Sequence, residues 1–196
     1  MMRVNVDTKP TRVNTDIVLD TEFNSRAGGF KIEPISFALV RLDLSASFYA
    51  VSNAFDQAKA QAHEFLAAHV LPKLPPMQDR QSIAAIRSGM MNFFETTARE
   101  TGANQVTLYA RNGGMGDFIL LDLLYDGHFF EEMNARGIER TYMKDSLDLY
   151  EQAGRPKLDD QIPVDPERQH TAIGDAEVEA RRIVVYRGII GGRGPF

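Results

Sequence analysis

The sequence predicts an α/β domain in which a mixed sheet is flanked by helices, and three observations lead there. Three runs rich in β-branched and aromatic residues lie near the start, joined by short connections, which favours an antiparallel meander. From Phe55 onward the apolar spacing changes to a helical period. Beyond that insert come a fourth strand, a helix, a short strand and a final helix, the alternation of an α/β domain.

Residues 1–15 read as a loosely held N-terminal arm. Asp16 to Phe23 (DIVLDTEF) is the first strand, with Ile17, Val18 and Leu19 as a short buried run. A turn follows at NSRAGGFK, around the glycine pair at 28 and 29. Ile35 to Arg41 (ISFALVR) and Ser47 to Ser52 (SFYAVS) complete the meander. Phe55, Ala58, Ala62, Phe65 and Leu66 share one face of a helix that LPKLPP must end, because proline cannot continue it. A second helix spans about Asp79 to Glu100 on Ile83, Ile86, Met90 and Phe94, and Gly102 terminates it. Gln105 to Tyr109 is the fourth strand, Phe118 to Tyr125 lies on a helix, and a short strand near Thr141 precedes a helix near Leu147. A polar loop at 155–168 leads into the last helix, from about Thr171 to Tyr186, and the tail at 191–196 reads as flexible.

Composition sets limits without choosing a function. The 196 residues suit a single domain, spanning 16–190, that is large enough to bury a core. The absence of cysteine excludes disulfides, thiolate zinc sites and cysteine nucleophiles. No apolar run is long enough to span a bilayer, and the polar start lacks the apolar stretch of a secretory signal, so the expectation is a cytoplasmic protein. A net charge of −5 argues against a broad basic surface for nucleic acid. It is compatible with acidic groups neutralised by metal, since two divalent ions would bring the sum to about −1.

The acids in LDTEF carry the most information. In a strand, residues two apart point to one side, so Asp20 and Glu22 project together, about 7 Å apart. Two carboxylates on one face repel unless something positive lies between them, and hard divalent cations prefer carboxylate oxygen. The plainer alternative is a solvated strand end, because Asp-x-Glu also occurs at Asp165 and Asp175.

Asp117 heads the apolar stripe of Leu120, Leu121 and Leu124, whereas Asp122 and Asp126 fall off it. A carboxylate on a core-facing stripe is costly unless it is paired, capping a helix or bound to metal. The glycines at 113, 114 and 116 suit either a tight turn or a close approach of substrate. His170 precedes Asp175 by five residues, about 140° apart on a regular helix, so His170 is expected in the loop or first turn with Asp175 inside the helix. His63, His69 and His128 read as structural.

Asp20, Glu22, Asp117, His170 and Asp175 together resemble the four acids and histidine of the DEDDh exonuclease superfamily, in order and in placement, from Asp16 to about Tyr186. Within it the chain is most similar to the small bacterial and phage 3′–5′ exoribonuclease-like proteins, through DTEF, ISFALV, YAVSNAFD and LPKLP. One departure is local: the family often has an aromatic residue just before the second-motif aspartate and tryptophan or phenylalanine after it, whereas here Gly116 precedes Asp117 and Phe118 follows.

The resemblance implies a ribonuclease H-like fold and two-metal hydrolysis of phosphodiester bonds at a 3′ end. On it, Asp20, Glu22, Asp117 and Asp175 hold two magnesium or manganese ions, and His170 is the general base. It also implies that Thr21 and Phe23 meet the terminal nucleotide, Phe23 being otherwise a core residue. Asn112 either reaches substrate or favours a turn. The expected partner is a single-stranded RNA or DNA 3′ end, RNA favoured, and a homodimer is implied. A DNA-directed exonuclease and a non-catalytic nucleic-acid-binding module on the same fold are the rival readings.

Overall fold

The computed structural model describes residues 12–25, 32–113 and 116–192. The expected turn at glycines 28 and 29, the start of the arm and the end of the tail lie outside these residues. A five-stranded sheet runs in the order β3-β2-β1-β4-β5, with β1 Asn14–Ser25, β2 Ile32–Arg41, β3 Ser47–Val51, β4 Gln105–Ala110 and β5 Arg140–Asp145. Strands β1, β2 and β3 pair antiparallel, as the short connections predict, while β4 and β5 pair parallel. This mixed sheet flanked by helices in a single α/β domain is compatible with a ribonuclease H-like fold. Strand β1 starts inside the expected arm, because Asn14 and Thr15 pair with Gln105 and Val106.

Strand periodicity divides β1 between two cores. Ile17 and Leu19 face the larger one, with Phe37, Met90, Phe94, Leu108, Leu121 and Phe129. It is closed by helices α2 (Ile83–Thr101), α3 (Asp117–Leu124) and α4 (Phe129–Ala135). Val18 faces the other core, against helix α6 (Ala172–Ile190). There α6 presents Ala172, Ala176 and Ala180, all fully buried beside Val18, Ala38 and Val40. These small side chains let the helix axis lie close to the sheet, and that closeness decides where Asp175 ends up.

Local signals explain most boundaries. Ser82 caps α2 by accepting from the Ala85 amide at 3.2 Å, and Gly102 ends it in a left-handed conformation, φ 65°. The helix starts at Ile83 rather than Asp79, since Met77–Asp79 form a separate 3-10 turn. Thr171 caps α6 by accepting from the Gly174 amide at 3.1 Å, and the helix continues to Ile190. Helix α4 is an addition to the predicted elements; Phe129 and Met133, four apart and buried, are its core contact. A short helix α5 (Ser146–Gln152) follows β5.

The insert after β3 departs most from expectation. Helix α1 covers only Gln57–Gln61, and a π-helical turn at Leu66–Val70 and a 3-10 turn at Leu71–Lys73 follow. Ala58, Ala62 and Phe65, expected on a buried stripe, are exposed, and the buried set is Phe55, Ala60, Leu66 and Val70 with Ile35. The physical reason is the break after Ala62, where His63 Nδ1 accepts from the Leu66 amide at 3.4 Å and rotates the face that follows. Among the described residues no helix is long and apolar enough to cross a membrane.

Candidate functional site

Asp20 and Glu22 share the face of β1 that carries Val18, and so point toward α6. Opposite them on β2 stand Ala38 and Ser36, small residues that leave the face open. The pairing shifts register between Glu22 and Phe23, a bulge of the kind that re-aims side chains beside active sites. Both acids lie beyond Val18, the last β1 residue paired with β4.

Three carboxylates meet here: Asp20, Glu22 and Asp175 each offer an oxygen within 4.8 Å of the others. Burial and mutual repulsion push them toward the protonated form. Desolvation, then the charges of Asp117 and Glu22, raise Asp20 well above the carboxylate range. Desolvation, then Asp175 and Asp117, raise Glu22 to about 8, against a smaller lowering by Lys73. Desolvation also raises Asp175, opposed by His170 and by the positive charges of Arg182 and Lys73. An all-carboxylate donor set, crowded and short of positive charge, fits a hard divalent cation.

Asp117 stands beside this cluster but does not join it. It is the first residue of α3, where the helix dipole favours an acid, and it is almost fully buried. Its Oδ1 accepts from the Thr21 hydroxyl at 2.6 Å. Burial raises it to about 6, with the Thr21 hydrogen bond holding it lower than burial alone would. Thr21 thus turns its buried side chain to the opposite face of β1 from Asp20 and Glu22.

Phe23 is half-buried, packs against the larger core and covers Gly116, where an added Cβ would fall 2.6 Å from its ring. That close approach explains glycine ahead of Asp117, where the related motif often has an aromatic residue. Asn112 is exposed in a left-handed turn, φ 53°, its amide donating to Asp145 Oδ1 at 3.0 Å.

His170 precedes α6 in a left-handed conformation, φ 59°, and its amide donates to Asp175 Oδ2 at 3.2 Å. Gly174 permits this turn: a Cβ there would fall 2.1 Å from the Arg168 carbonyl oxygen. The His170 ring lies 5.0 Å from Phe65 and 5.4 Å from His69, between ring centroids. Lys73 reaches the same segment, its Nζ donating to the carbonyls of Pro166 at 2.8 Å and Gln169 at 2.5 Å.

Phe65, His69 and Lys73 are the neighbours that sequence reasoning did not select. His69 is exposed, with its ring beside that of His170. The available signal was the four-residue step from Phe65 to His69, which sets the two rings side by side. Glu179, four residues beyond Asp175, adds a buried acid to the same side of α6. It accepts from the Ser146 hydroxyl at 2.6 Å and faces Arg111 at 3.6 Å.

No family model matches the sequence. Two curated relatives do: proteins named 3′-5′ exoribonuclease from two strains of Mycobacterium tuberculosis. Each is 30% identical over 165 residues, covering 83% of this chain and 88% of the relative.

Proposed function

The chain belongs to the family of these 3′-5′ exoribonucleases, and from that premise we propose that it is a divalent-metal-dependent exonuclease that removes single nucleotides from the 3′ end of RNA. The observation that supports this reading most is the meeting of Asp20, Glu22 and Asp175 oxygens within 4.8 Å, with the His170 backbone bonded to one of them. Bound magnesium or manganese would supply the charge that acidifies an attacking water and offsets negative charge on the leaving 3′ oxygen.

The chain's own groups divide the remaining tasks. Asp20, Glu22 and Asp175 would hold the ions, and Asp117, beside them and bonded to the Thr21 hydroxyl, would complete the set. Asp175 would do so while accepting from the His170 amide. The partly exposed His170 imidazole takes the proton of the attacking water, a role that neutral imidazole performs well. Phe23 and the Thr21 backbone border the terminal nucleotide, and Asn112 stands at the rim.

The test is degradation of 5′-labelled single-stranded RNA and DNA in magnesium, manganese or EDTA. The expected outcome is a metal-dependent ladder shortening from the 3′ end, faster on RNA. Asp117→Asn and His170→Ala should each lower the rate by about 10²–10⁴-fold. Preference for the DNA strand would make this a DNA-directed exonuclease. No cleavage of either strand by the folded protein would overturn the enzyme reading.

A further inference from the structure

The turn that delivers His170 is held from two sides. On the α6 side, Arg168 pairs with both Glu177 oxygens at 2.7 and 2.8 Å. The Thr171 hydroxyl donates to the Arg168 carbonyl at 2.6 Å. On the opposite side the insert reaches across: Phe65 and His69 meet the His170 ring, and Lys73 bonds to the backbone. Lys73 donates to the Pro166 and Gln169 carbonyls, two contacts that span 93 and 96 residues of sequence. Gln169 immediately precedes His170, so one of these bonds ends on the peptide whose other half carries the His170 amide.

The left-handed backbone of His170 is costly for a residue with a side chain, and such conformations persist where the surroundings over-determine them. Removing the hydrogen bonds that Lys73 makes to its carbonyls should therefore loosen this turn more than it loosens the fold. An ammonium suits the task because three donors on one nitrogen can bridge carbonyls that face the same point.

Resting on the exonuclease reading above, we propose that Lys73 is a positioning residue: by bridging the Pro166 and Gln169 carbonyls it ties the insert to the His170 turn and holds the imidazole over the acid cluster. The insert is then a working part of the site. Lys73 closes its 3-10 turn, Leu71–Lys73.

The test compares the full chain with Lys73→Met, which keeps the length and removes the donors, and Lys73→Arg, which restores them. Hydrogen exchange is followed without metal or RNA, and steady-state cleavage of single-stranded RNA with manganese. In Lys73→Met, amides of residues 167–170 should exchange about tenfold faster or more while those of α2 and β4 stay protected. Its kcat should fall about tenfold with KM unchanged, and Lys73→Arg should recover much of both. If Lys73→Met does not fold, Lys73→Gln takes its place with the same expectation.

Unchanged exchange at 167–170 overturns the proposal, and so does a raised KM with kcat intact, which would make Lys73 a phosphate contact. Faster exchange in a protein that cleaves no RNA would overturn the exonuclease reading while the tether stands. Unchanged exchange in an active exonuclease would do the reverse.

Discussion

The acids and the histidine of the candidate site are held in different ways. Asp20 and Glu22 stand on a strand of 12 residues in the middle of the sheet, and Asp175 on a helix of 19 packed by a row of alanines. Their placement follows from the two regular periods and is secured by the cores beneath. His170 stands on a turn with positive φ, held by side chains that bond to backbone carbonyls from the insert and from α6. Regular elements can hold like charges against their repulsion because many buried contacts oppose it. A turn has few such contacts, so each hydrogen bond there carries more of the geometry. The acid platform should therefore tolerate changes around it, and the histidine turn should not.

The largest effect should come from the platform itself. Asp20→Asn should lower RNA cleavage on the order of 10³-fold and abolish tight manganese binding in calorimetric titration. It should also raise metal-free stability at alkaline pH, where the wild-type carboxyl is forced to ionise. A variant that still binds manganese tightly would break the comparison, because Asp20 would then not be part of the platform.

The next test uses the raised carboxyls. A carboxyl whose folded-state pKa lies above its unfolded value favours the folded protein at low pH, and that stability is lost as pH rises through the folded value. Here the loss should pass through about 6 for Asp117 and about 8 for Glu22. The melting temperature in EDTA should thus fall by roughly 5 °C or more from pH 5 to pH 8.5. Saturating manganese should remove most of that fall. A flat profile in EDTA would mean that burial and mutual repulsion do not penalise the ionised acids as their placement demands.

Gly174→Ala gives the smallest and most selective effect. Alanine normally stabilises a helix over glycine by about 1 kcal/mol. At this position the Cβ meets the Arg168 carbonyl, so we expect a destabilisation of about 1–3 kcal/mol in urea unfolding. The cleavage rate should drop because the His170 turn must move, while manganese affinity is retained. A stabilised, fully active Gly174→Ala would show that the turn is not as closely packed as its geometry requires.

Much of this arrangement could be read in the chain directly. Alternation along LDTEF puts Asp20 and Glu22 on one face, and the five-residue step from His170 to Asp175 separates turn from helix. The meander, the Gly102 terminator and the α/β alternation follow from equally local rules. The insert was misread because its apolar residues satisfy a helical period that the folded chain abandons after Ala62. Helix α4 is short, and a single pair of buried residues is too little periodicity to declare it.

The sequence by itself determined the strands, the long helices and the order in which acids and histidine occur, because propensity and period act over a few neighbouring residues. Only the tertiary structure decided that Asp117 bonds to Thr21 beside the cluster, that Phe65 and His69 lie against His170, and that Lys73 spans from the insert to its turn. Those contacts join residues more than 90 positions apart, and no local rule ranks one distant partner above another. What selects them is the packing of small side chains that brings α6 down onto β1, together with the break that turns the insert toward it.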